Sequence, residues 1–203
     1  MASFGQKTSS GWEHYCGGTI ISENTILTAA HCFFKICSNP WKTRCVPGQT
    51  YKPLTKIRLG DQNLKDASDD DLAQTYEVKA IIKHDLYKGA GPKNDLAIVY
   101  TTTKIEFNAN IQKITLSGSA SDVRDKYANE HAEIMGWGYT DHTFRPSDSL
   151  QVANFTVFPT NECIPMFRKK PYKKRLNETN IFCSGSKVCF RLTFRNDFSC
   201  LLL

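Results

Sequence analysis

Two residues of this chain combine reactive chemistry with a suggestive setting, and each sits at the edge of a β-prone run. His31 closes Ile26-Leu27-Thr28-Ala29-Ala30-His31-Cys32, with Cys16 one hairpin upstream, and Asp95 opens Asn94-Asp95-Leu96-Ala97-Ile98-Val99. An imidazole titrates near pH 6.5, so at neutral pH it can take a proton from an attacking hydroxyl. A buried carboxylate on the other ring nitrogen fixes the tautomer and stabilises the imidazolium. Taken singly, a histidine beside a cysteine or an aspartate before an apolar run says little. The set Cys16, His31, Cys32, Cys37 and Cys45 also invites a metal reading. It contains no C-x-x-C, whereas structural zinc sites show closely paired ligands. No metal and no cofactor is expected.

The elements that must position these residues are strands. Thr19-Ile20-Ile21 and Thr25-Ile26-Leu27-Thr28 are β-branched runs separated by Ser22-Glu23-Asn24, which is turn chemistry, so they predict a hairpin leading to His31. Leu96-Ala97-Ile98-Val99-Tyr100 is continuously apolar, consistent with a strand buried on both faces. Lys56-Ile57-Arg58-Leu59-Gly60, Tyr76 through Ile82 and Leu150 through Val157 read as further strands. No long helix-period pattern appears. A polar stretch with Gly118, Ser119, Ser121 and Asp122 marks a boundary between two subdomains.

Cys16-Gly17-Gly18, Thr28-Ala29-Ala30-His31-Cys32, Asn94-Asp95-Leu96-Ala97-Ile98-Val99 and Gly136-Trp137-Gly138 stand in that order along the chain. Together they closely resemble the chymotrypsin/trypsin-like serine proteases. The segment from Tyr51 to Val99 looks most like the insect-type clip-domain members, although no clip domain is present. The resemblance implies an all-β fold of two antiparallel six-stranded barrels, the first nearly complete and the second incomplete. It divides the chain into a first barrel at 1–115, a partial second barrel at 116–187 and a tail at 188–203 that does not resemble the family. It implies His31 as general base and Asp95 as its orienting carboxylate. It implies a Cys16–Cys32 disulfide and a Cys163–Cys183 disulfide; Cys37 and Cys45 are expected to staple a surface loop. His84 resembles a common surface position and is given no catalytic role. Some members bind calcium in a loop at the place of Asp66, Asp69, Asp70 and Asp71, but the ligand spacing does not match here, so a solvated acidic loop is expected.

The family's nucleophile block, Gly-Asp-Ser-Gly-Gly-Pro, is absent from these 203 residues. Ser186 and Ser199 lack the flanking glycines that expose a hydroxyl and let backbone N–H groups form an oxyanion hole. The family's activating Ile-Val-Gly-Gly terminus is missing as well, and Met1-Ala2-Ser3-Phe4 resembles the middle of its first long strand. The expectation is a partial product of a longer gene, catalytically incomplete and prone to aggregate through the open second barrel. Lys187-Val188 is what an in-frame splice donor would encode.

Eight cysteines and the sequons at Asn154 and Asn177 point to an oxidising, extracellular setting for the parent protein. The first residues carry no apolar signal-peptide core. No apolar run approaches the ~20 residues of a membrane span, and neither a membrane nor a nucleic-acid partner is expected. Part of the net charge of +6 is concentrated in Arg168, Lys169, Lys170, Lys173, Lys174 and Arg175. This is either a solvated loop or a patch for an anionic glycan. The leading functional expectation is a trypsin-like endopeptidase by descent, acting on protein substrates but catalytically incomplete in this chain. The alternatives are a non-catalytic homologue that binds proteases, substrates or glycans, and a disulfide-rich scaffold without a partner.

Overall fold

The computed structural model describes residues 1–33, 44–45, 55–66, 72–89, 94–116, 126–140, 146–159, 161–162 and 183–185. The chain divides into two compact units, Met1–Leu116 and Ser117–Leu203. The first is built from β1 (Ala2–Thr8), β2 (Gly11–Ser22), β3 (Thr25–Thr28), β4 (Arg44–Cys45), β5 (Lys56–Leu59), β6 (Gln74–Lys83) and β7 (Ala97–Thr101). A 3-10 turn, Ala30–Phe33, follows β3.

Six of these strands close on themselves. The order runs β5-β1-β2-β3-β7, and β6 pairs with both β5 and β7. One strand can serve both neighbours because β6 is ten residues long. Its first part pairs with β5, from Gln74↔Leu59 to Glu77↔Lys56, and its last part with β7, from Val78↔Thr101 to Lys83↔Ala97. A register shift between Val78 and Ala80 bends the strand at the changeover. Closure leaves no free edge inside the ring, and β4 adds outside it along Ile81 and Ile82.

Alternation along the strands fills the barrel. Ile26, Ile57, Leu59 and Val99 are fully buried, with Phe4, Ile20, Ile81 and Phe33 beside them. Phe33 meets Phe4 edge-on at 5.1 Å between ring centroids, so the end of the 3-10 turn is anchored in the core. Gly18 allows the close approach of β2 to its neighbours. A Cβ there would lie 2.7 Å from Ile26 Cγ2, 2.8 Å from Phe4 Cε2 and 3.1 Å from the Leu27 carbonyl.

A polar seam crosses β1 and β2. The Trp12 indole N–H donates to Ser3 Oγ at 2.8 Å, and Ser3 Oγ lies 2.7 Å from His14 Nδ1. Ser3 Oγ thus links the indole and the imidazole. Arg58 stacks over the Trp12 ring at 5.7 Å and pairs through Nε with the buried Asp61.

In the second unit, β8 (His131–Gly136), β9 (Gln151–Phe158) and β10 (Cys183–Gly185) form an antiparallel sheet in the order β10-β9-β8. Phe155, Val157 and Trp137 are buried, whereas the register partners Met135 and Val152 are exposed. The molecule is thus mostly β, with a closed six-stranded barrel and a partial second sheet. The hairpin strand β2 runs from Gly11, well before the Thr19-Ile20-Ile21 core legible in the sequence, because its first half pairs with β1 rather than β3.

Candidate active site

His31 is presented by the turn between β3 and the barrel core. Ala30 and Phe33, on either side of His31 and Cys32, are fully buried. That pins the turn and leaves the ring outward, with the side chain 56% exposed. Upstream, Thr28 Oγ1 donates to the Gly17 carbonyl at 2.8 Å, tying the entry of the turn to β2. Cys32 is disulfide-bonded to Cys16, with 6.1 Å between their Cα atoms. The turn is therefore held by packing, by a side-chain hydrogen bond and by a covalent link.

Asp95 arrives from the other side of the chain. Asn94 adopts a left-handed conformation, φ 59°, which asparagine tolerates better than most residues. The Leu96 N–H folds back to the Asn94 carbonyl at 2.9 Å. The carboxylate accepts the His31 backbone N–H at Oδ1 and lies against ring Nδ1 at Oδ2, each at 2.7 Å. An ionised carboxylate only accepts, so Nδ1 carries the proton and the Nε2 lone pair is left for chemistry. The Asp95 side chain is 15% exposed, well shielded beside its histidine.

The hydrogen bond donated to Asp95 raises the His31 pKa above its ordinary value; burial opposes this and the carboxylate's charge adds to it. Tyr87 stands in the same field. Burial first, and the Asp95 charge second, push its phenol up to about 12, so it remains protonated. Its loop is tied down by His84, whose backbone N–H reaches the Leu96 carbonyl at 2.9 Å and whose Nδ1 accepts the Leu86 N–H at 3.1 Å.

Tyr87 and the Ser3–His14 pair escaped sequence reasoning. Neither lies in a recognisable block, and a serine eleven positions from a histidine carries no local signal. Ser3 is fully buried with its hydroxyl committed to Trp12 and His14, so it is no candidate nucleophile. Among the described residues, no hydroxyl is hydrogen-bonded to the His31 ring; Nε2 lies 3.8 Å from the Cys32 sulfur. Asn154 is exposed on β9. Cys37, Cys163, Asn177, Ser186, Ser199, Asp69, Asp70, Asp71 and the basic run 168–175 lie outside the described residues. Cys45 and Cys183 fall in β4 and β10, but their side chains also lie outside the described set.

A closed six-stranded barrel that presents an aspartate-clamped histidine beside a disulfide defines a trypsin-like fold. The sequence model of the Trypsin family matches residues 1–190, and the chain belongs to that family. It is 31% identical to fibrinolytic enzyme isozyme C of Lumbricus rubellus over 161 residues, covering 78% of this chain and 58% of that protein. Trypsin II-P29 of Gallus gallus is 28% identical, with 74% of this chain and 51% of the relative covered. CLIP domain-containing serine protease B4 of Anopheles gambiae is 27% identical, with 81% and 44% covered. The chain therefore spans 44% to 58% of the length of these relatives. In structure it resembles neuropsin, a serine protease of mouse brain, at a TM-score of 0.65 and 20% identity, over 92% of this chain and 69% of the other. That likeness concerns the fold. Among the described residues, no helix is long and apolar enough to cross a membrane.

Proposed function

We propose that this chain is the His- and Asp-bearing portion of a trypsin-like serine endopeptidase acting on protein substrates. The observation that carries the proposal is the double contact of Asp95 with His31. His31 is the general base. Its Nε2 takes the proton of a serine hydroxyl as the oxygen attacks the scissile carbonyl carbon, and Nδ1–H stays with Asp95. The resulting imidazolium returns that proton to the leaving amine as the C–N bond breaks. A water then repeats the sequence on the acyl-enzyme, the proton passing through the same nitrogen.

These 203 residues contain no Gly-Asp-Ser-Gly-Gly-Pro block, so this chain by itself is proposed to be inactive. That same observation favours a second reading, a non-catalytic homologue that binds a protease or its substrate. Extracellular residence, Cys37–Cys45 and Cys163–Cys183 pairing, glycans on Asn154 and Asn177, and an anionic glycan at the basic run belong to the same proposal. The eight cysteines and the exposure of Asn154 support it.

An active-site phosphonate is the test. The 203-residue chain is expected to stay unlabelled and to hydrolyse no peptide amide. Joining it to a family segment carrying the nucleophile block restores labelling if His31 and Asp95 act as a base pair, and His31→Ala abolishes it again. Labelling of the 203-residue chain itself would overturn the inactive reading, and a restored chimera indifferent to His31→Ala would overturn the catalytic assignment.

A further inference from the structure

The disulfide beside His31 gathers three side chains of types that ligate metals. Cys16 Sγ, Cys32 Sγ and His31 Nε2 all lie within 4.8 Å of one another. Nε2 is 3.8 Å from the Cys32 sulfur; a tetrahedral zinc with ordinary Zn–S and Zn–N bonds separates such a pair by about 3.6 Å. The other side of the ring is already arranged as in a ligating histidine. Nδ1–H donates to Asp95 Oδ2 at 2.7 Å, which orients the imidazole and raises its basicity as carboxylate partners do for metal-bound histidines. In the oxidised chain the two sulfurs are bonded to each other and supply no thiolate.

We propose that reduction of Cys16–Cys32 unmasks a Cys2His site for a thiophilic divalent cation of the zinc class, with the fourth position open to water. The reductant is a dithiol. Its two sulfhydryls lose two electrons and two protons to the protein S–S bond, which breaks into two cysteine thiols, while the dithiol closes to a disulfide. Each cysteine then releases its proton on binding the cation.

The three ligands stay close without the S–S bond because other contacts hold their elements. Thr19↔Leu27 and Ile20↔Ile26 pair β2 with β3, Thr28 Oγ1 bonds the Gly17 carbonyl, and the His31 N–H bonds Asp95. Both cysteines are half-buried while the His31 ring is exposed, so a cation can enter from solvent on the Nε2 side. Occupation of Nε2 removes the lone pair assigned above to proton transfer, so a bound cation and a working base exclude each other. Metal binding itself does not depend on the proteolytic reading.

Cobalt(II) is the probe, titrated into the full chain before and after dithiol reduction and anaerobic desalting. The expected result is one further equivalent bound by the reduced chain, with thiolate-to-cobalt charge transfer and the strong visible bands of four-coordinate cobalt. The chain has eight cysteines, so the assignment rests on variants. Cys16→Ser/Cys32→Ser abolishes the added equivalent and Cys37→Ser/Cys45→Ser keeps it. Asp95→Asn weakens it about ten- to a hundredfold. Because the cysteine variants can fail to fold, His31→Ala provides the second test, and it is expected to weaken binding at least about tenfold. Equal binding in both redox states, loss in the Cys37/Cys45 variant, or affinity indifferent to His31→Ala each overturns the proposal.

Discussion

Asp95 holds His31 at two points, the backbone N–H through Oδ1 and the ring through Oδ2, each at 2.7 Å across 64 residues of chain. One carboxylate thus fixes both where the turn sits and which way the imidazole faces. Two groups that sequence separates widely become one unit, and the closure of β7 between β3 and β6 brings them together.

Asp95→Asn keeps the shape and removes the charge. The amide can no longer accept at both oxygens, and the neutral group no longer favours the imidazolium. The His31 pKa is expected to fall from its raised value, read as the shift of its ring-proton NMR titration. The lost charge-assisted bonds are expected to cost about 1.5–3 kcal/mol in denaturant unfolding. An unchanged titration would count against Asp95 as the cause of the shift.

The two histidines bonded on the barrel make pH work in opposite directions. Burial pushes the His14 pKa down to about 4, so between pH 6.5 and about 4 the unfolded chain binds the proton more readily. Its contribution is present above pH 6.5 and is lost as pH falls towards 4. His31 has a raised folded value. Its contribution is complete below pH 6.5 and is lost as pH rises through that value. Thermal midpoints measured against pH should drop on the acid side, and His14→Gln should flatten that limb while leaving the alkaline one. An acid limb equally steep in the variant assigns the loss to other groups.

How far the site was legible follows from how local its signals are. Thr28-Ala29-Ala30-His31-Cys32 is readable because each position answers a local demand: Thr28 bonds Gly17, Ala30 is wholly buried, and Cys32 meets Cys16. Asn94-Asp95 says little alone and is readable only through its order with the other blocks; its left-handed turn emerges with the structure. The alternation of β5 and β6 revealed strands but not their partners. That β6 would serve β5 and then β7 depends on a bulge at Val78–Ala80 and on barrel closure, which no window of sequence expresses. The Ser3–Trp12–His14 seam and the Arg58–Asp61 pair stayed hidden because their residue types are ordinary at strand surfaces. Only pairing of β1 with β2 and β5 turns them inward.

Gly18 is a packing requirement. Ala at this position sets a methyl 2.7 Å from Ile26 Cγ2 and 3.1 Å from the Leu27 carbonyl, and the backbone oxygen cannot rotate away. Gly18→Ala is expected to destabilise the chain by about 1–3 kcal/mol, the usual cost of overpacking. The denaturant midpoint should fall with the slope unchanged. A wild-type midpoint would mean that β2 and β3 separate more easily than their shared core implies.

Asn94 separates the conformational and chemical parts of the site. Its φ of 59° suits asparagine and glycine, whereas a β-branched side chain is opposed there by its own Cβ. Asn94→Gly should therefore leave the His31 titration where it is, despite losing the 3.4 Å bond from Asn94 Nδ2 to the Leu86 carbonyl. Asn94→Val should cost about 1–2 kcal/mol and also lower the His31 pKa, since a turn forced out of the left-handed region carries Asp95 away from the ring. The informative outcome is the coupling of the two readouts. If Asn94→Val destabilises the chain while His31 titrates as before, the carboxylate is held by β7 rather than by the turn, and the positioning role moves to the Leu96–Ala97 end of that strand.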